Sequence, residues 1–140
     1  MRIVVDTNII FSALLVINSK IRDILFKKSN RFYSPNYFFS EIFKYKEKIF
    51  RCTHLNEDEA FECLNKILEN IKFVRSDVVS KENRMTAIDL CRDIDEKDSP
   101  FVALAIEIDA YLWTGDKSLK EGLIKKGFMQ FADDNILEQE

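Results

Sequence analysis

The sequence predicts an α/β fold: a central, parallel, roughly five-stranded sheet with helices packed on both faces. Short β-branched or aromatic runs alternate with longer segments whose apolar residues recur at helical spacing, the pattern of strands joined by crossover helices. The composition agrees. A chain of 140 residues has the size of one domain, so residues 1–140 are expected to form a single unit. An apolar share of 46% against 32% charged residues provides both a core and a solvated surface, and 3 Gly and 2 Pro are too few for a turn-dense all-β fold.

Arg2-Ile3-Val4-Val5 is a short buried strand ending at Asp6. Ile9, Ile10, Ala13, Leu14 and Ile17 then repeat at helical spacing, with Asp6 and Thr7 as candidate caps. Ser19 caps a second helix that buries Ile21, Ile24 and Leu25. Arg31-Phe32-Tyr33 reads as the second strand, stopped by Ser34 as N-cap and Pro35 at the first helical position. The helix that follows places Phe38, Ile42, Tyr45 and Ile49 on one face. Asn56-Glu57-Asp58-Glu59 forms a capping-box pattern opening a helix through Ile71.

Lys72-Phe73-Val74 is a weak third strand, and a helix is expected over Val78–Cys91. Asp98-Ser99-Pro100 starts another helix, which leads into the apolar strand Ala110–Thr114 and then Gly115-Asp116. A short helix and a fifth strand, Phe128–Phe131, complete the core.

Charge and reactive residues narrow the chemistry. Cys52, Cys63 and Cys91 are odd in number with no CxxC pair, which argues for reduced thiols rather than a disulfide framework. The single histidine, His54, makes Ser-His-Asp, Cys-His and multi-histidine metal sites poor readings, and Cys52, His54 and Cys63 match no zinc spacing. Carboxylates are left as the candidate reactive groups. The run Ile9–Ile17 falls short of the ~20 apolar residues of a membrane span. Asp6 and Asn8 precede it where a signal peptide has a basic region, so a cytoplasmic protein is expected. The net charge of −3 divides unevenly: Ile17–Arg51 carries nine Lys/Arg against three acids, and the rest of the chain is acidic. A basic stretch of this kind suits a polyanion, although solvated helix faces explain it equally.

In a parallel α/β sheet, functional groups collect at the carboxyl ends of the strands, near the switch in strand order. Asp6 and Asp116 each follow a strand, Asp98 begins the helix leading into one of them, and Glu41 borders the apolar face of its helix. Each has a simpler structural role: Asp6 and Asp98 as caps, Asp116 as a turn residue, Glu41 as a surface acid. Their combination is more specific. Like charges ~4 Å apart repel by ~4 kcal/mol at an effective dielectric of 20, so a converged set holds either protons or a hard cation such as Mg2+ or Mn2+.

Asp6-Thr7-Asn8 after a first hydrophobic strand, an acid in the helix after Ser34-Pro35, the run Asp98-Ser99-Pro100-Phe101-Val102-Ala103-Leu104-Ala105, and Thr114-Gly115-Asp116 resemble the four acidic stations of PIN-domain nucleases. The resemblance extends from Arg2 to about Phe131. It implies a three-layer α/β/α domain and a Mg2+- or Mn2+-dependent endoribonuclease that cleaves RNA phosphodiester bonds by metal-activated water. It also implies a role as the toxin of a type II toxin–antitoxin pair, similar to virulence-associated protein C, with a cognate antitoxin and a homodimer as partners. Carried over by position, Asp6, Glu41, Asp98 and Asp116 are the catalytic, metal-holding acids. Asn8 orients Asp6 or a bound water, and Thr114 supports the site through its hydroxyl.

Glu41 has a rival in Glu47, six residues along the same helix. Asp95 is an outer ligand or, more simply, loop charge. The sequence pI of about 5.3 is low for an RNA binder, which leaves substrate contact to cations such as Lys44, Lys48 and Lys117. Two alternatives are set beside the nuclease reading. One is a catalytically inactive PIN-like binding or assembly module, against which the full set of acids argues. The other is a phosphoryl-handling domain of the receiver or haloacid-dehalogenase type. Asn8 stands where the latter would need a second Asp, and the internal strands offer a receiver no convincing acceptor.

Overall fold

The computed structural model describes residues 1–15, 19–27 and 29–138. Ile17, expected on the first helix, and Lys28, counted in the basic stretch, lie outside the described residues. The order of elements is β1 (Arg2–Val5), α1 (Thr7–Leu15), α2 (Lys20–Phe26), β2 (Arg31–Pro35), α3 (Tyr37–Cys52), α4 (Glu57–Glu69), β3 (Ile71–Val74), α5 (Lys81–Cys91), α6 (Ser99–Glu107), β4 (Tyr111–Trp113), α7 (Lys117–Lys125) and α8 (Asp134–Glu138). Short 3-10 turns at Ser76–Val78 and Glu96–Asp98 precede α5 and α6.

Apolar alternation within the strands dictates two core layers. Ile3 and Val5 face one side of β1 and Val4 the other, as Trp113 and Leu112 do on β4. The first layer packs α1–α4 and α8 through Ile10, Leu14, Phe38 and Leu137. The second packs α5–α7 through Phe101, Leu104, Leu119 and Leu123. Fully burying one such side chain contributes roughly 1.5–3 kcal/mol. The result is a sheet between two helical layers.

All strand pairs are parallel, and the order is β3-β2-β1-β4. The chain winds outward from β1 through β2 to β3, then crosses to pair β4 on the other side of β1. The switch point therefore lies between β1 and β4. Local signals behave as their chemistry requires. The Ser19 hydroxyl accepts from the Arg22 N–H, and Asn56 and Glu59 form a reciprocal capping box. All three cysteines are free, with Cys91 buried.

The helix expected through Ile71 ends at Glu69 with Ile71 opening β3, the helix expected from Val78 starts at Lys81, and two larger expectations also need correction. The sheet has four strands, not five: of Phe128–Phe131, only Phe131 forms an isolated parallel bridge, to Leu112. The Phe128 and Phe131 rings pack edge to face with centroids 5.4 Å apart. Residues three apart in a strand point to opposite faces, so this contact bends the segment away from strand geometry. The second strand, in turn, does not stop at Ser34. Pro35 pairs with Val74, and the Ser34 hydroxyl donates to the Val5 carbonyl across the sheet at 3.1 Å instead of capping a helix. Asn36 takes the cap position of α3 without making a side-chain cap bond. No helix among the described residues is long and apolar enough to cross a membrane.

Candidate active site

Parallel register sets Val5 opposite Trp113, so the residues leaving β1 and β4 are neighbours. The Thr114 hydroxyl donates to Asp6 Oδ2 at 2.7 Å and accepts from the Asp116 N–H at 3.1 Å. Asp6 Oδ1 accepts from the backbone N–H of Asn8 at 3.2 Å. It is thus the main chain of Asn8, not its side chain, that orients this carboxylate. Asp6 is only 4% exposed. Burial pushes its carboxyl above the ordinary 3.8, assisted by the charge of Asp116, while the bonds from Thr114 and Asn8 oppose the rise.

The other acids arrive from three separate elements. Glu41 lies on α3, where Oε1 accepts from the buried Thr7 hydroxyl at 2.7 Å. Its carboxyl is raised by burial and by Asp6 and Asp95, against the pull of Thr7 and Lys97. Asp116 is the N-cap of α7, with Oδ1 accepting from the Leu119 N–H at 3.1 Å. Asp98 holds the cap position of α6 but makes no side-chain cap bond. Burial, followed by the charges of Asp6, Asp95, Asp116 and Glu41, pushes its carboxyl up to about 7.

These four acids line one cleft of about 520 Å³, and Asp95 joins them. Phe11, Tyr45 and Ile49 form an apolar wall of the cleft, with Lys48 and Lys97 as its cations. The simpler reading of Asp95 as loop charge is incomplete. One oxygen accepts from the Lys97 N–H at 3.0 Å, and the carboxylate also contributes to the field at Asp98. Glu47 is exposed and does not line the cleft, which leaves Glu41 as the acid α3 supplies. Lys44 lies outside the cleft, its ammonium 5.3 Å from the Tyr45 ring centroid. Lys117 and Lys120 line an adjoining groove of about 700 Å³ that shares Asn8, Ser12 and Asp116 with the cleft.

The loop bearing Asp95 and Asp98 is held from behind. Gly122 on α7 lies against Ile94: a methyl at position 122 would come within 2.5 Å of Ile94 Cδ1 and 2.9 Å of Cγ1. Glycine costs a helix ~1 kcal/mol relative to alanine, and here its place is explained by this close approach.

The donor set consists of carboxylate oxygens, which suits a hard divalent cation and not a thiolate- or imidazole-seeking one. Asp116 and Glu41 each have one oxygen engaged by a protein donor, and each carboxylate retains accepting capacity. Among the described residues, no three acidic, histidine or cysteine side chains stand close enough together to grip an ion as they are placed. The acids line the cleft wall instead, as mutually repelling groups do. By its chemistry the set fits the ion; closing on it requires side-chain movement.

A parallel sheet with acids gathered at its switch point defines a class of α/β proteins suited to phosphodiester chemistry. The chain matches the PIN-domain family over residues 4–131 and belongs to that family. PIN domains are generally nucleases, and they usually use divalent metals. No curated protein matches the chain.

Sequence reasoning missed three participants. Thr7, read only as a cap, fixes Glu41. Lys97 enters the cleft because the Glu96–Asp98 turn folds it back. Tyr37, one helical turn before Glu41, has its hydroxyl pushed up by burial and by the charges of Glu41, Asp95 and Asp98. Only the 3.6-residue period of α3 pointed to Tyr37.

Proposed function

We propose that this protein is a Mg2+- or Mn2+-dependent endoribonuclease, acting as the toxin of a toxin–antitoxin pair. The observation that carries the nuclease reading is the convergence of Asp6, Glu41, Asp95, Asp98 and Asp116 on a single cleft at the switch point of the sheet. Asp6, Glu41, Asp98 and Asp116 would hold the ion. Bound there, a divalent cation supplies charge neutralisation at the scissile phosphate and activates water.

The protein's own groups set the geometry. Thr114 fixes Asp6 and ties it to Asp116, and Thr7 fixes Glu41. Asp98, which titrates near neutrality without the ion, gives up its proton on taking part in the site. Lys48 in the cleft and Lys117 in the adjoining groove offer cationic contacts to a phosphate backbone, and Lys44, outside the cleft beside Tyr45, adds a third charge on α3.

RNA as the substrate, a cognate antitoxin and a homodimer are parts of this proposal, drawn from the likeness of the four acidic stations to those of toxin nucleases. The test is cleavage of a structured RNA and of a matched DNA, with Mn2+ and with excess EDTA. The RNA is cut only with Mn2+, and Asp6→Asn abolishes cutting while retaining the circular dichroism of the folded chain. Undiminished cutting in EDTA would refute the mechanism. No cutting together with no Mn2+-induced stabilisation would favour the inactive binding module.

A further inference from the structure

A second cavity opens at the same end of the sheet, beyond the ends of β2 and β3. It has a volume of about 300 Å³ and walls formed by Pro35, Val79, Ile88, Pro100 and Leu104. Tyr37 and Ser99 also line it, and both adjoin the acidic cleft: Tyr37 is four residues before Glu41 on α3, and Ser99 follows Asp98. The two cavities therefore flank one ridge. Tyr37 and Glu41 lie about one helical turn apart on α3, ~5.4 Å of rise, so a chain with its phosphate at the acids passes beside this cavity.

The chemistry of the second cavity is opposite to that of the first. No acid lines it, and its cations are Arg75 and Arg84. Arg75 is paired with Asp77 at 2.7 Å, whereas Arg84 has no ion pair among the described residues. Asn36 also lines the cavity, exposed and making no cap bond, so its amide has both a donor and an acceptor available. Apolar walls with two prolines, a Tyr at the rim, an uncommitted amide and a guanidinium with no ion pair among the described residues form an environment for a heteroaromatic ring attached to an anionic backbone. A purely aliphatic ligand would use the walls but leave the Asn36 amide and the Arg84 guanidinium without partners.

We propose that this cavity is a nucleobase subsite, taking the base of the nucleotide adjacent to the scissile phosphate. Tyr37, Pro35 and Pro100 supply stacking and apolar contact, Asn36 reads the base edge, and Arg84 holds the neighbouring phosphate. The inference rests on the nuclease reading above for the position of the scissile phosphate, and it makes the enzyme selective at one flanking position.

The test separates the two. AMP, GMP, CMP and UMP are titrated in EDTA into 15N-labelled protein, so that binding is read without cleavage. Amide shifts are expected at Tyr37, Val79, Arg84 and Leu104, with unequal affinities among the four nucleotides. Ile88→Trp, which fills the cavity from a partly exposed helix position, weakens binding about tenfold or more, and Arg84→Ala weakens it several-fold. In the cleavage assay these variants raise KM and flatten the preference at one flanking nucleotide, with kcat little changed. Shifts confined to the residues around Lys48 or Lys117, or none at all, overturn the subsite whether or not the protein cuts RNA. Nucleotide shifts in this cavity without any RNA cleavage would uphold it as a base-binding pocket and refute the nuclease reading that sets it beside a scissile phosphate.

Discussion

Asp98→Asn tests the electrostatics of the acidic cleft without relying on activity. The Asp98 carboxyl holds its proton up to about 7 in the folded chain, against 3.8 ordinarily. The unfolded chain thus releases this proton at lower pH than the folded one. Its contribution to stability is fully present below 3.8 and is lost as pH rises through about 7. Undiminished, a difference of that size corresponds to roughly 4 kcal/mol. The side chain is only half-buried, and solvent screening reduces this to about 1–2 kcal/mol.

Urea or thermal unfolding in EDTA, repeated from pH 4 to pH 8, reads the effect. Wild type should lose stability relative to Asp98→Asn across that window. The variant should become the more stable by about 1–2 kcal/mol above pH 7, a gain of roughly 3–7 °C in Tm. Added Mn2+ should reverse the order, since an ion at 100 times its Kd stabilises wild type by ~2.7 kcal/mol and the variant has lost a ligand charge. Parallel pH profiles for the two proteins, with equal gains from Mn2+, would refute the reasoning.

Other perturbations isolate single contacts. Thr114→Val removes the hydroxyl that Asp6 and Asp116 share; Mn2+ affinity or kcat should fall by ~10–100-fold, measured by calorimetry and cleavage kinetics. Glu41→Gln should greatly impair cleavage, whereas Glu47→Gln, outside the cleft, should leave it within about twofold, a change worth under ~0.5 kcal/mol. Phe38→Ala empties a fully buried position that packs against Phe11, Phe39 and Phe73; urea unfolding should show a loss of ~3–5 kcal/mol.

The sequence carried those parts of the fold that rest on local chemistry. The capping box at Asn56, the Ser19 cap and the buried runs of β1 and β4 are encoded within a few residues, and they formed as read. The positions of Asp6 and Thr114 side by side also follow from sequence once the two strands are taken as neighbours, because each residue directly follows a strand. What depends on distant packing was not legible. The fifth strand failed because two aromatic rings three residues apart prefer each other to the sheet. The start of α3 moved because Ser34 found a carbonyl across the sheet. Lys97 and Asp95 looked like ordinary loop charge, since nothing within Asp95-Glu96-Lys97-Asp98 indicates which way a tight turn faces.

The single hydrogen at position 122 works as a shim behind the acidic loop. Gly122→Ala would relieve the helical cost of glycine while driving Ile94 forward. The helical gain is offset by overpacking against Ile94, which typically costs ~1–3 kcal/mol, so urea unfolding should show no net stabilisation. A position with no polar atom on its side chain thereby sets the room available to the residue that directly precedes Asp95.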